Sequence, residues 1–142
     1  LKKAVQTINH KTSILLVEDV EENAIVIQAF LNNTNHEVDA VEDGNQAVEK
    51  IKSGKKYNLV LMDIQMPGMD GLETTRWIRN WEQRRNLERM PILALSAHAM
   101  VGDREKSLTS GCDDHITKPI SKKKLLEKID QWSGENQSAY QT

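Results

Sequence analysis

Leu-Val-Leu-Met-Asp-Ile-Gln-Met-Pro-Gly-Met-Asp-Gly, residues 59–71, runs four apolar residues into an aspartate and then into a turn. The apolar run Leu59–Met62 is too short for a helix and reads as a strand buried on both faces, the kind a parallel sheet requires. Pro67 with Gly68 is a turn signal first, and Gly71 marks the junction to the next element. Asp63 therefore stands at the carboxyl end of a central strand.

The same signature recurs on either side. Ser13–Val17, Val38–Val41 and Ile92–Leu95 are further short apolar runs rich in β-branched residues. Between them lie segments with helical spacing: Ala24, Ile27 and Leu31, then Ala47, Val48 and Ile51, then a long stretch from Leu72 through Ile78 to Trp81. After Ser96 the pattern continues with a weak helix near Arg104–Ser110, a fifth strand around His115–Thr117, and a helix from Ser121 to about Trp132 carrying Leu125, Leu126 and Ile129. Gly44, Gly54, Gly102 and Gly111 fall at junctions between these elements. Five βα units in strict alternation predict a doubly wound α/β domain, a five-stranded parallel sheet with helices on both faces, because parallel strands need right-handed crossovers. Residues 1–12 and 133–142 are polar and aperiodic and read as a linker and a flexible tail around a domain at 13–132.

In open α/β sheets ligands bind beyond the carboxyl ends of the strands, where strand order reverses. Glu18 and Asp19 follow the first strand, Asp63 the third, Ser96 the fourth, and Lys118 with Pro119 the fifth. If the order is the flavodoxin-like 2-1-3-4-5, these side chains converge on one small patch. Three carboxylates that close raise each other's pKa unless a cation sits among them. Mg²⁺ or Mn²⁺ suits an all-oxygen site; Asp19 and Asp63 would bind it directly, with Glu18 holding a metal-bound water. Lys118 and the Ser96 hydroxyl would complete a cage for the equatorial oxygens of a phosphoryl group.

The totals set the outer bounds. The 142 residues suit one domain, and 38% apolar with 28% charged residues is a globular mixture. A net charge of −2 gives no basis for binding nucleic acid, whose affinity rests on neutralised phosphates. No apolar run approaches the roughly 20 residues a membrane helix needs, so no direct membrane contact is expected. Cys112 is the single cysteine, which suits a reducing compartment and a cytoplasmic domain; a first residue Leu1 in place of Met reads as a segment of a longer protein.

Leu-Val-Glu-Asp at 16–19, Leu-Met-Asp-Ile-Gln-Met-Pro-Gly-Met-Asp-Gly at 61–71, Ala-Leu-Ser-Ala at 94–97 and Ile-Thr-Lys-Pro at 116–119 together closely resemble the response-regulator receiver family. The resemblance covers roughly Ser13–Trp132. It implies that Asp63 is phosphorylated from a phosphohistidine on a histidine kinase or histidine phosphotransfer partner. It implies that Glu18 and Asp19 are the acidic metal pair, with the Gln65 backbone carbonyl as a further ligand. Ser96 is then the hydroxyl that moves toward the phosphoryl group, Lys118 its cationic partner, and Lys118–Pro119 a cis peptide bond. His115 departs from the pattern, since the family usually has Tyr or Phe there; as a switch residue its inward state would either respond to pH or simply be less favoured. The start at Leu1, the extended Trp81–Met90 segment and residues 91–97 look more like receivers joined to hybrid histidine kinases.

Simpler roles compete at several positions. Glu18 and Asp19 also suit the start of a helix, where negative charge is favoured. Met62, Met66 and Met69 read as packing and turn residues, Lys122–Lys124 as a solvated helix opening, and Trp77, Trp81 and Trp132 as helix-packing residues. His10, His36 and His98 have no metal-ligand spacing. Two other functions use similar parts. An aspartate-nucleophile small-molecule phosphatase, resembling the haloacid dehalogenase family, would want a second Asp where Gln65 stands. A degenerate receiver acting only as a binding module would lack one of the chemical positions, and all are filled.

Overall fold

A computed structural model describes residues 12–66, 70–97, 105–108 and 110–133. The strands are β1 (Thr12–Val17), β2 (His36–Val41), β3 (Leu59–Asp63), β4 (Ile92–Ser96) and β5 (Asp114–Thr117). The helices are α1 (Glu21–Leu31), α2 (Gly44–Lys52), α3 (Gly71–Arg84) and α5 (Lys122–Trp132), and residues 105–108 are helical and are labelled α4. All neighbouring strands pair in parallel, in the order β2-β1-β3-β4-β5. The expected doubly wound sheet is present.

Side chains alternate across a strand, so each central strand feeds two cores. Leu15 and Val17 of β1, Val60 and Met62 of β3, and Ile92 and Ala94 of β4 pack with Ala47 and Ile51 of α2 and Ile78 of α3. Ile14 and Leu16, Leu59 and Leu61, and Leu93 and Leu95 face the other way, onto Ile27 and Leu31 of α1 and Leu125 and Ile129 of α5. The i, i+4 pairs Ile27/Leu31 and Leu125/Ile129 are single helical stripes laid on the sheet. Leu61 is fully buried at the centre of β3, and its truncation to Ala should cost about 2–5 kcal/mol.

Three helices begin on side-chain caps. Asp43 accepts from Gln46 N at 2.8 Å, Asp70 from Glu73 N at 2.8 Å, and Ser121 from Lys124 N at 3.1 Å. Each satisfies one of the backbone donors a helix leaves open at its start. At Gly71 a Cβ would fall 2.2 Å from the Asp63 carbonyl oxygen and 2.6 Å from Ile64 Cα. The start of α3 thus lies directly against the end of β3, and only glycine permits that approach.

Two sequence expectations change in detail. β2 begins two residues earlier than the apolar run, and only Val41 is fully buried along it. It is an edge strand, so the positions of Glu37, Asp39 and Ala40 need not be apolar on both faces. Residues 105–108 fall inside the helix expected at Arg104–Ser110, whereas Arg104, Gly102, His98, Pro67, Gly68, Met69, His10 and nearly all of both terminal segments lie outside the described residues. Among the described residues no helix is long and apolar enough to cross a membrane.

The tryptophans pack as expected. Trp77 and Trp81 stack at 5.1 Å along α3 against the first core, and Trp132 closes the second while its indole donates to Asp114 at 2.8 Å. Met62 and Met66 are buried core residues, and Lys122–Lys124 are exposed.

Candidate functional site

Strand register delivers the acidic residues to one place. Val17 of β1 lies opposite Met62 of β3, so Glu18 and Asp63 leave the sheet side by side. Glu18 N donates to Val41 O at 3.1 Å, extending the β1–β2 ladder by one bond and fixing where the glutamate emerges. On the other flank, Ser96 lies opposite Thr117, and Lys118 N donates to Ser96 O at 2.7 Å, which fixes the lysine at the end of β5.

Oxygens of Glu18, Asp19 and Asp63 all lie within 4.8 Å of one another. Glu18 and Asp63 are buried and Asp19 is exposed. Lys118 Nζ sits 2.9 Å from Glu18 Oε1 and 3.5 Å from Asp63 Oδ2. The other oxygens of Glu18 and Asp63 take backbone donors: Val20 N reaches Glu18 Oε2 at 3.2 Å, and Gln65 N reaches Asp63 Oδ1 at 2.9 Å. One ammonium thus serves two of the three carboxylates, Glu18 and Asp63.

The proton balance reflects that shortage. Burial pushes the Asp63 carboxyl up, the Gln65 N–H opposes it, and the hydrogen bond and charge of Glu18 push further, so its pKa stands at about 7. At Glu18 burial also pushes upward, but the Lys118 ammonium, the bond with Asp63 and the Val20 N–H outweigh it and hold the carboxyl below its usual range. Burial works against the charged form of Lys118, yet Glu18 and Asp63 raise its pKa overall. Near neutrality, then, Glu18 and Lys118 form the ion pair, and Asp63, with a pKa of about 7, is the carboxyl that is still partly protonated.

This donor set fits a hard divalent cation. Every donor is oxygen, two of the three carboxylates are buried, and the Asp63 proton marks positive charge that a cation could replace. Glu18, Asp19 and Asp63 each offer a carboxylate oxygen that could hold it.

Of the residues singled out in the sequence, the structure gathers Glu18, Asp19, Asp63, Gln65 and Lys118 around one point. Ser96 is fully buried at the end of β4, and its carbonyl accepts from the Lys118 backbone N–H. His115 lies opposite Ala94, two positions below Ser96 on the same face, and is also buried. The Lys118–Pro119 peptide bond is cis. Sequence reasoning did not find the Gln65 side chain, whose Oε1 accepts from Ala97 N at 3.3 Å.

Residues 14–130 match the response regulator receiver domain. The chain belongs to that family. As a receiver domain of two-component signalling it is 45% identical over 121 residues to the sensor protein GacS of Pseudomonas syringae pv. syringae, covering 85% of this chain and 13% of that relative. The chain therefore spans about one-eighth of the length of that relative. The receiver domain of sensor histidine kinase PA1611 from Pseudomonas aeruginosa PAO1, solved with magnesium coordinated in its active site cleft, superposes with a TM-score of 0.77 at 40% identity, over 87% of this chain and 98% of that one. The receiver domain of the Saccharomyces cerevisiae response regulator Ssk1, crystallised with the histidine phosphotransfer protein Ypd1, gives a TM-score of 0.81 at 31% identity, over 87% and 89% of the two chains.

Proposed function

We propose that this receiver accepts a phosphoryl group from a phosphohistidine onto Asp63 in a reaction that requires Mg²⁺ or Mn²⁺, and that acceptance switches its conformation. The observation that carries this reading is the buried Asp63 carboxylate at the end of β3, with two further carboxylates and the Lys118 ammonium gathered around it. Asp19, Asp63 and the Gln65 backbone carbonyl would hold the cation, with Glu18 positioning a water. A bound cation supplies positive charge that favours the ionised form of Asp63 and neutralises phosphoryl oxygens.

The residues of the chain do the rest. The ionised Asp63 carboxylate attacks phosphorus as the P–N bond of the phosphohistidine breaks. The electron pair of that bond stays on the imidazole, which takes up a proton. Transfer of this kind rests on positioning and charge stabilisation, and Lys118 stands 3.5 Å from Asp63 to supply both. Once the phosphoryl group is in place, the Ser96 hydroxyl and the residues after it are drawn toward its oxygens. His115, on the same face two residues below, moves with them as the switch residue.

The partner is a histidine kinase or a histidine phosphotransfer domain, and likeness to GacS supports a place within a hybrid sensor kinase on its cytoplasmic side. The functional unit is 12–132, one residue longer than the expected 13–132 because Thr12 already pairs in β1, between a linker before it and a tail at 133–142.

Intact mass after incubation with acetyl phosphate, with and without Mg²⁺ and beside Asp63→Asn, tests the reading. A metal-dependent gain of one phosphoryl group that the variant lacks is the expected result. Failure to gain it, from acetyl phosphate and from phosphorylated histidine phosphotransfer domains alike, would leave only a binding module.

A further inference from the structure

Gln65 engages the site from two directions. Its N–H holds Asp63 Oδ1 at 2.9 Å, and its exposed side chain reaches across to the β4 loop, where Oε1 accepts from Ala97 N at 3.3 Å. The strand register explains the last contact. Asp63 lies opposite Leu95 and Ile64 N donates to Leu95 O at 3.1 Å, which places Gln65 opposite Ala97. A continued parallel ladder would pair Ala97 N with a backbone carbonyl of the β3 chain. Here a side-chain amide oxygen takes that rung.

We infer that Gln65 is a positioning residue whose side chain tethers the Ala97 amide in the resting state, and that phosphorylation of Asp63 proceeds to the switched state by taking this amide away from it. The inference rests on the phosphoacceptor reading above. Ala97 directly follows Ser96, so any movement of the Ser96 hydroxyl toward Asp63 carries the Ala97 N–H with it. The existing bond is long and made to a neutral acceptor. A phosphoryl oxygen is anionic, and a charge-assisted bond is roughly twice as strong as a neutral one. Exchange of acceptors is therefore favourable once the phosphoryl group is present, while before that the tether holds the loop back.

The test uses beryllofluoride, a phosphoryl mimic, on the receiver at saturating Mg²⁺. Gln65→Leu keeps the side-chain bulk and removes the acceptor. The variant should bind beryllofluoride roughly 2- to 10-fold more tightly than the unaltered protein, the range set by one net hydrogen bond. Its Ala97 amide should also exchange hydrogen faster in the resting state and at the same rate once beryllofluoride is bound, a change that a merely structural role would not confine to one amide. Unchanged or weaker beryllofluoride binding by Gln65→Leu, or an Ala97 amide that exchanges no faster, overturns the tether. Failure of the unaltered protein itself to bind beryllofluoride with Mg²⁺ would instead count against the phosphoacceptor reading.

Discussion

The two ends of one sheet handle charge in opposite ways. At the amino ends of β4 and β5, Arg79 and Arg89 meet Glu82 and Asp113. Arg79 donates to Gly111 O, Glu82, Met90 O and Asp113 at 2.7–2.9 Å, and Arg89 grips Asp113 Oδ1 at 2.9 and 3.0 Å. Glu82 and Asp113 in turn accept from the backbone N–H groups of Met90 and Ile92. Two cations face two anions, and each carboxylate also secures a strand entry. At the carboxyl ends, Glu18 and Asp63 share Lys118, and the Asp19 carboxylate beside them adds a third negative charge. A balanced buried network fixes structure; an unbalanced one stores a demand for positive charge, and that demand gives Asp63 its place in the chemistry.

The sharpest way to break this contrast is the same chemical change at each end. Asp63→Asn should abolish phosphoryl acceptance altogether, read by intact mass. Asp113→Asn should leave acceptance in place and lower stability by about 2–4 kcal/mol, because the Arg79 guanidinium, only 12% exposed, would lose one of its two anions and Arg89 its only one in this network. In thermal unfolding this corresponds to a Tm lower by roughly 10 °C for a domain of this size. An Asp113→Asn variant that unfolds normally but rejects the phosphoryl group would show that the two ends are not separable.

Stability should also move in opposite directions. Asp63 has a folded pKa of about 7, above its ordinary 3.8, so between about pH 4 and 7 the folded state binds more protons than the unfolded one. The metal-free fold therefore loses stability as pH rises through that window, and the loss persists above it. Asp63→Asn has no such carboxylate to ionise. Its Tm should exceed that of the unaltered protein at pH 8 by an amount worth roughly 1–3 kcal/mol, with little difference near pH 4. Mg²⁺ should narrow the gap at pH 8 by stabilising the ionised form. Melting curves at the two pH values, with and without Mg²⁺, check this, and a gap independent of pH would contradict the stored-charge account.

The contrast also explains what the sequence made legible. β1, β3 and β4 are buried on both faces, so their short apolar runs announce themselves, and residues just past those runs point to the carboxyl-end cluster. β2 is an edge strand whose polar positions blur the same signal. The amino-end network was not read at all. Arg79 and Glu82 are a visible i, i+3 pair, but Asp113 lies 34 residues from Arg79, and nothing local in Gly111–Asp114 says that its turn folds back on α3. The Gln65 tether was hidden for a related reason, since it spans 32 residues and depends on the β3–β4 register. Chemistry confined to strand ends can be read from a chain; pairings across strands wait for the fold.

The smallest effect sharpens the claim that burial, rather than the number of ion pairs, sets the worth of the amino-end network. Arg89 and Arg79 both bond Asp113, yet the Arg89 side chain is 57% exposed and the Arg79 side chain 12%. Water and salt screen the first pair, so Arg89→Met should cost only about 0.5–1 kcal/mol, with the cost shrinking as salt rises. Arg79→Met should cost several times as much, because it leaves Glu82 buried without its cation, takes the Arg79 donor from the Met90 carbonyl and leaves the Gly111 carbonyl only Arg89. Denaturant titrations of the two variants at low and high salt make the comparison. Equal losses would mean that Arg89, for all its exposure, holds Asp113 as firmly as the buried arginine does, and the network would then be a clamp closed from the surface.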